Sequence, residues 1–357
     1  MDDLQSTESV PIEDDAQLVQ TPPSILRGVF RNRFHQWRAG WRILVYLIVV
    51  TLFTIVLRAV VGLFLTRPDD VPMVSWLNSF FMTMANISLV LPALLVLKVF
   101  DRRPASLLGI GFERRWWWEL AVGVAAGIVS TGGLTLILVV TGQVTLEVSP
   151  RVAAAFSVMP LYLVLFTVAA AVEEFIFRGY MLQALAEGSR RWLAAVLISL
   201  LFAIVHLDNP DVTVVGISNI FLVGIVIAVL YFQTLRLWLP IGYHLSWNWA
   251  HGWLWGFDVS GIELEHKVFI ANPRGPDLLT GGEFGLEGSI LTTALIVGVG
   301  VWLLTKKVLV PTEEMAAKWS PYPRGFGLAP IEGTETETSQ ETPVDTVEES
   351  SEDDVPE

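Results

Sequence analysis

The chain has 357 residues and a net charge of −13; 53% of its residues are hydrophobic and only 17% are charged. An ordinary soluble domain carries about 25% charged residues, so this composition excludes one. The absence of cysteine excludes a disulfide scaffold, a cysteine nucleophile and a thiolate metal site.

The two ends of the chain hold much of the acidic charge. Residues 1–26 and 325–357 contain Asp and Glu but no Lys or Arg, so the body between them is mildly basic. Acidic segments rich in Ser, Thr and Pro bury too little apolar surface to offset chain entropy, and we expect residues 1–26 and 311–357 to be disordered tails. No basic patch interleaved with aromatic residues occurs, which argues against a nucleic-acid partner.

Long apolar runs fill the chain between the tails. A bilayer core about 30 Å thick needs roughly 20 helical residues, so each run is a candidate membrane span. The sequence therefore predicts an all-α, polytopic membrane helix bundle with about eight transmembrane helices. The predicted spans are 43–65, 71–99, 119–141, 153–185, 192–207, 212–234, 239–255 and 289–308. The fourth run is too long for one crossing, and we expect it to break or to leave the bilayer near Gly179.

Basic residues concentrate in alternate loops, which predicts the orientation of the bundle. Arg and Lys are abundant before the first span and after the second, fourth, sixth and eighth spans. By the positive-inside rule, this multi-pass protein has both termini in the cytoplasm. The predicted segments are helices 1–3 with a cytoplasmic basic loop (27–149), a core of helices 4–7 (150–256), an extracytoplasmic loop (257–288) and helix 8 (289–310).

Gly123 and Gly127 form a G-x-x-x-G pattern on the third predicted helix. Small residues at this spacing let two helices approach closely, either within one chain or between two copies. We expect packing within the chain, and a dimer face is the alternative.

The fourth predicted helix carries ionisable side chains at bilayer depth, where each charge costs about 3 kcal/mol or more. Glu174 and Arg178 are four residues apart, so they share a helix face and favour a structural ion pair. Glu173 points about 100° away around the helix. It is therefore the carboxylate left free for chemistry.

Polar residues follow on two further predicted helices. His206 ends the fifth, whereas His244 and Asn248 lie four residues apart on the seventh, with His251 on the same stripe. Counted from the basic loops at 1.5 Å per residue, Glu173 and His206 lie at similar depth and His244 is shallower. This difference indicates either an extended start to the seventh helix or a fourth helix lying partly in the interface.

These residue types together are the parts of a water-activating hydrolase. Glu173 can act as a general base toward a water molecule that a histidine shares. Neutral His and Asn side chains can donate hydrogen bonds to a developing oxyanion. Glu173, His206 and His244 are also candidate ligands for one zinc ion with a water in its open position. The sequence leaves both the metal-free and the metal-assisted mechanism open.

The order of these residues resembles a known family of intramembrane proteases, the CPBP (CAAX protease and bacteriocin-processing, or ABI) family, which includes the type II CAAX prenyl endopeptidases. The resemblance covers about residues 150–256 and rests on three motifs: Glu173-Glu174-x-x-x-Arg178, Phe202-x-x-x-His206 and His244-x-x-x-Asn248.

The resemblance implies an endopeptidase in which Glu173 and His206 activate water. It also implies that His244 and Asn248 form the oxyanion site, while Glu174 and Arg178 brace the helix. The implied partners are the lipid bilayer and a membrane-associated protein or peptide substrate, with prenylated CAAX-type tails among the candidates. The family is commonly labelled metalloprotease, yet these roles need no metal. His251 lies outside the family pattern.

Two functions of other classes remain as alternatives. A non-proteolytic immunity or regulatory protein of the same family would use the polar groups to bind a partner helix, and should tolerate Glu173→Gln. An ion-coupled transporter would use Glu173 and the histidines as a relay. The sequence shows no clear inverted repeat, which weakens the transporter hypothesis.

Overall fold

The computed structural model describes residues 29–30, 37–64, 90–112, 114–306, 309–311, 313 and 315. The acidic N-terminal tail, nearly all of the C-terminal tail and residues 71–89 of the second predicted span lie outside the described residues. Disorder of the tails therefore stays a prediction, as does the division of the chain into segments.

Helices dominate the described part of the chain. They are α1 (Ala39–Phe64), α2 (Val90–Val96), α3 (Trp116–Val140), α4 (Val152–Glu174), α5 (Leu182–Gly188), α6 (Arg191–Ile204), α7 (Val214–Thr234), α8 (Trp238–Trp249), α9 (Asp277–Thr280) and α10 (Ile290–Thr305). Segments of π-helix extend α2 (Leu97–Asp101), join α4 to α5 (Phe175–Met181) and extend α8 (Ala250–Leu254). Short 3₁₀ turns occupy Ala105–Leu108, Gly282–Phe284 and Leu286–Gly288.

Four helical stretches within the described residues are long and apolar enough to cross a bilayer. They are Ala39–Leu57, Trp116–Val140, Val152–Gly188 and Val214–Thr234, while α6 and α10 are apolar but shorter. The protein is thus a helical integral membrane protein. The described residues confirm four of the predicted spans by length and composition, and the number of eight stays a prediction.

Near Gly179 the helix changes its geometry but does not end, and whether it leaves the bilayer there stays a prediction. The fourth run is one continuous helical stretch of 37 residues, Val152–Gly188. Gly179 lies inside the π-helical segment, where a Cβ would be 3.3 Å from the Leu237 side chain and 3.5 Å from the Leu108 carbonyl oxygen. This glycine therefore allows close packing against neighbouring segments, and the chain does not turn there.

Two short strands accompany the predicted helices. β1 (Val144–Val148) pairs antiparallel with β2 (Phe269–Pro273), and Val144 lies opposite Pro273. Their β-branched and aromatic residues favour extended structure. The pairing fastens the chain after α3 to the loop predicted as extracytoplasmic.

The G-x-x-x-G pattern packs within the chain, as expected. A Cβ on Gly123 would lie 2.4 Å from the Leu239 carbonyl oxygen, and one on Gly127 would lie 2.8 Å from the Tyr243 carbonyl oxygen. The backbones of α3 and α8 are therefore in direct contact. This contact fixes the position of α8, which carries two of the predicted site residues.

Residues 107–109 connect the end of the π-helical segment to the start of α8. The Leu107 carbonyl accepts a hydrogen bond from Gln183 Nε2 at 2.8 Å. The Gly109 carbonyl accepts one from the Leu237 backbone N–H at 2.9 Å. Gln183 and Leu237 therefore lie at nearly the same level along the bundle.

A buried ion network joins the nearby ends of α1, α2 and α5. Arg42 bonds to Asp101 and to Glu187 at 2.7 Å each, and Arg103 also pairs with Glu187. Breaking such a buried network by removing one member costs about 3–5 kcal/mol. These charges hold the bundle together at the end that carries the basic loop between α2 and α3.

Candidate active site

A cavity opens among α4, α7, α8, α10 and the chain after α6. The space open to the centres of water molecules is about 70 Å³, which is room for several waters. All four side chains predicted as catalytic line this cavity: Glu173, His206, His244 and Asn248. Much of the remaining lining is apolar: Phe202, Ile220, Val223, Ile227 and Ile296.

Glu173 presents an unpaired carboxylate oxygen at the cavity. Its side chain is 35% exposed, and its Oε2 is buried without a hydrogen-bond partner among the described residues. A buried polar atom without a partner costs about 1–3 kcal/mol, so this oxygen is a strong acceptor for a water molecule. The nearest imidazole nitrogen in an ion-pair contact is His244 Nε2, at 3.8 Å.

Glu174 forms the predicted ion pair and also binds a second helix. Its Oε1 accepts from Arg178 Nη1 at 3.0 Å and from His244 Nδ1 at 2.9 Å. The side chains of Glu174 and Arg178 are almost completely buried. The contact with His244 was not predicted, and it connects the bracing pair directly to the cavity.

The expected shallow position of His244 is also corrected. Glu174 precedes Gln183 by nine residues and His244 follows Leu237 by seven, so the two side chains meet at similar depth. The depths predicted from sequence were counted from the basic loops, and these loops do not lie at the same level, because α5 continues past the level where α8 begins. α8 is helical from Trp238, without an extended start.

The tautomer of His206 follows from its hydrogen bond. Its Nδ1 lies 2.7 Å from the Phe202 carbonyl oxygen, which can only accept, so Nδ1 carries the proton. In the neutral ring, Nε2 is therefore an acceptor. The Phe202 ring packs 4.7 Å from the His206 ring, and the Arg178 guanidinium lies 4.4 Å from the centre of the same Phe202 ring.

The hydrogen bond at Nδ1 of His244 also decides which ring nitrogen can donate into the cavity. Because Nδ1 bonds to the Glu174 carboxylate, Nε2 of a neutral ring has no proton to donate. Donation from Nε2 needs the imidazolium, and two acids and one guanidinium surround this ring. With Glu173 and Glu174 ionised, a protonated His244 and Arg178 bring this group of four to zero net charge.

Asn248 lies one helical turn beyond His244 and lines the same cavity. Its amide makes no hydrogen bond to another residue in the described part of the chain. An amide with two free donors one helical turn from an imidazole is the type of arrangement that stabilises a developing oxyanion.

The candidate zinc ligands do not form a compact set. No group of three or more His, Asp or Glu side chains within the described residues is placed to hold a metal ion. The residues therefore do not fit the three-ligand zinc site considered from sequence. One zinc ion stays a prediction.

His251 does not share the cavity with His244 and Asn248, which corrects the predicted stripe. Its ring is fully buried, and Nε2 accepts the Leu286 backbone N–H at 3.0 Å. The helix changes to π-helical geometry at Ala250, so the α-helical spacing no longer applies. His251 is a hydrogen-bonding residue that holds the chain before α10.

The polar residues of the cavity that were missed from sequence include Asn219, Ser260 and Glu287. Asn219 had a usable signal, because it is a polar residue within an apolar span, and its Nδ2 donates to the Glu287 and Ser289 carbonyls at 2.8 and 2.9 Å. The other two lie in the loop 257–288, where nothing in the local sequence indicates that they reach the cavity.

A family model matches this part of the chain. Residues 155–250 match the family described as Type II CAAX prenyl endopeptidase Rce1-like, a protease family. The match includes all three motifs and confirms the resemblance that they indicated. Neither the search of curated proteins nor the search of solved structures found a match.

Proposed function

We propose that this protein is an intramembrane endopeptidase that hydrolyses a peptide bond of a membrane-associated substrate. One observation carries the proposal: the same cavity, with room for several waters, is lined by Glu173 and His206. Glu173 has a buried oxygen without a hydrogen-bond partner, and His206 has an acceptor at Nε2. The family match to a protease family supports the same reaction class.

Two acceptors facing one water molecule activate it. The water donates one hydrogen bond to Glu173 Oε2 and the other to His206 Nε2. Its oxygen lone pair then attacks the peptide carbonyl carbon, as Glu173 takes the proton. General-base catalysis of this kind contributes about 10²–10⁴-fold to the rate.

His244 and Asn248 receive the negative charge of the tetrahedral intermediate. The imidazolium donates from Nε2 and the amide from Nδ2, and Glu174 holds the ring by its Nδ1. When the carbon–nitrogen bond breaks, Glu173 returns its proton to the leaving nitrogen. The carboxylate is then ready for the next water molecule.

The cavity and the family match support a proposal for the substrate class. Ile220, Val223 and Ile296 give the cavity an apolar wall that suits an apolar side chain or a lipid group. Prenylated CAAX-type tails are therefore substrates to test first.

The distribution of basic residues supports an orientation with both termini in the cytoplasm.

The test is a cleavage assay with purified full-length protein and membrane-anchored peptides, with and without a prenyl group. We expect Glu173→Gln and His206→Ala to abolish cleavage without loss of folded protein. Glu283→Gln and His266→Ala are the matched controls in the loop and should cleave normally. A Glu173→Gln protein with the parent rate would remove the mechanism, whereas a parent protein that binds these peptides and cleaves none of them would favour a binding role.

A further inference from the structure

The cavity contains a second carboxylate that the proposed hydrolysis does not use. Glu287 lies in the 3₁₀ turn Leu286–Gly288, outside the segment that matches the protease family. Its side chain lines the cavity together with Glu173. The two acids come from separate parts of the fold, one from α4 and one from the chain before α10.

Fixed donors hold the Glu287 carboxylate in place. Trp247 Nε1 donates to Oε1 at 3.2 Å, and the Ser260 hydroxyl donates to Oε2. Ser260 has φ of 49°, in the left-handed region, so the backbone is held in a costly conformation where its hydroxyl meets the acid. These two donors leave other lone pairs of the carboxylate free to accept from a further donor.

The Glu287 carboxylate has no cationic partner among the described residues. In the described ranges, no Lys or Arg side chain lies within ion-pair distance of Glu287. The neighbouring His251 is bonded to the Leu286 N–H and does not line the cavity. By contrast, the buried Glu174 carboxylate accepts hydrogen bonds from both Arg178 and His244.

Glu287 is close to the reacting groups because Trp247 connects them. Trp247 is adjacent to Asn248 and follows His244 by three residues, a rise of about 4.5 Å along α8. Asn219 Nδ2 donates to the Glu287 carbonyl, and next to Asn219 is Ile220, part of the apolar wall. An uncompensated anion thus lies beside an apolar surface and near the site of hydrolysis.

We infer that Glu287 forms a specificity subsite for a cationic side chain, Lys or Arg, of the peptide substrate. The aliphatic stem of such a side chain packs on the apolar wall, and its charged end donates to the free lone pairs of the carboxylate. This inference rests on the proposed function, because the peptide occupies the same cavity.

The test measures binding and cleavage separately. Membrane-anchored peptides carry one Lys that is moved through each position around the scissile bond, and matched peptides carry norleucine there. Binding is measured in the cleavage-deficient Glu173→Gln protein, with Glu287 retained or replaced by Gln. Cleavage of the same peptides is measured with Glu173 intact.

With Glu287 retained, we expect one Lys position to bind on the order of tenfold to hundredfold more tightly than norleucine, the range of a charge-assisted hydrogen bond. Glu287→Gln should remove this preference, Glu287→Asp should restore part of it, and Glu283→Gln should leave it unchanged. Thermal unfolding identifies any variant that is misfolded. If Glu287→Gln is misfolded, the Lys preference of Glu287→Asp decides whether the carboxylate forms the subsite.

The outcomes separate the two ideas. Equal binding of the Lys and norleucine peptides at every position overturns the subsite, even if both are cleaved. A preference that survives Glu287→Gln also overturns it. A Lys preference that depends on Glu287, in a protein that cleaves nothing, supports the subsite and overturns the proposed hydrolysis.

Discussion

Replacing Gly123 by Ala tests whether the contact between α3 and α8 positions the candidate active site. The new Cβ would lie 2.4 Å from the Leu239 carbonyl oxygen and 2.8 Å from the Tyr243 nitrogen, both backbone atoms. Restoring ordinary contact at 3.4 Å or more requires the helices to separate by about 1 Å. Overpacking of this kind costs roughly 1–3 kcal/mol of folding free energy.

The same separation moves His244 and Asn248, because both lie on α8 beyond the contact. A displacement of about 1 Å in a catalytic group lowers a reaction rate on the order of 100-fold. We therefore expect Gly123→Ala to lower both the melting temperature and the cleavage rate. The assays are thermal unfolding in detergent, followed by tryptophan fluorescence, and cleavage of a membrane-anchored peptide.

Gly133→Ala is the matched control on the same helix. A Cβ at Gly133 would meet nothing within 4 Å, so this variant should melt and cleave like the parent protein. If Gly123→Ala also behaves like the parent, the backbone contact does not position the site and the reasoning is refuted.

The remaining predictions concern the buried charges, the oxyanion site and the metal. Glu174→Gln leaves the buried Arg178 without its carboxylate, so we expect the unfolding free energy to fall by about 3–5 kcal/mol, whereas the exposed Glu283→Gln should change it little. Asn248→Ala should lower kcat by about 10²–10³-fold at an unchanged melting temperature, and a rise in KM alone would contradict an oxyanion role. Cleavage should persist after dialysis against a chelator; a loss that zinc reverses would assign Glu173 and the histidines to a metal.

The local features of the site could be predicted from the sequence because they depend on helix periodicity. The four-residue spacing of Glu174 and Arg178 predicts an ion pair, and the structure has it at 3.0 Å. The apolar runs likewise predict helices long enough to cross a bilayer, and four such stretches are present in the described ranges. Each of these features needs only residues within one helix.

Relations between helices could not be predicted in this way. The level of His244 depends on the segment before α3, which pairs Gly109 with Leu237 across more than a hundred residues of sequence. Glu287 reaches the cavity through a loop whose shape depends on positive φ values at Gly281 and Gly285. Spacing along the chain contains neither kind of information, because both depend on tertiary packing.

Glu173 and Glu174 are adjacent in sequence, and their environments give them different roles. The rotation of about 100° between them turns Glu174 toward Arg178 and His244 and leaves Glu173 facing the cavity. Because Glu174 bonds to Nδ1 of His244, it leaves Nε2 of the same ring as the nitrogen closest to Glu173. The bracing acid therefore acts on the chemistry through His244, and its loss should affect both the fold and the direction in which the imidazole can donate.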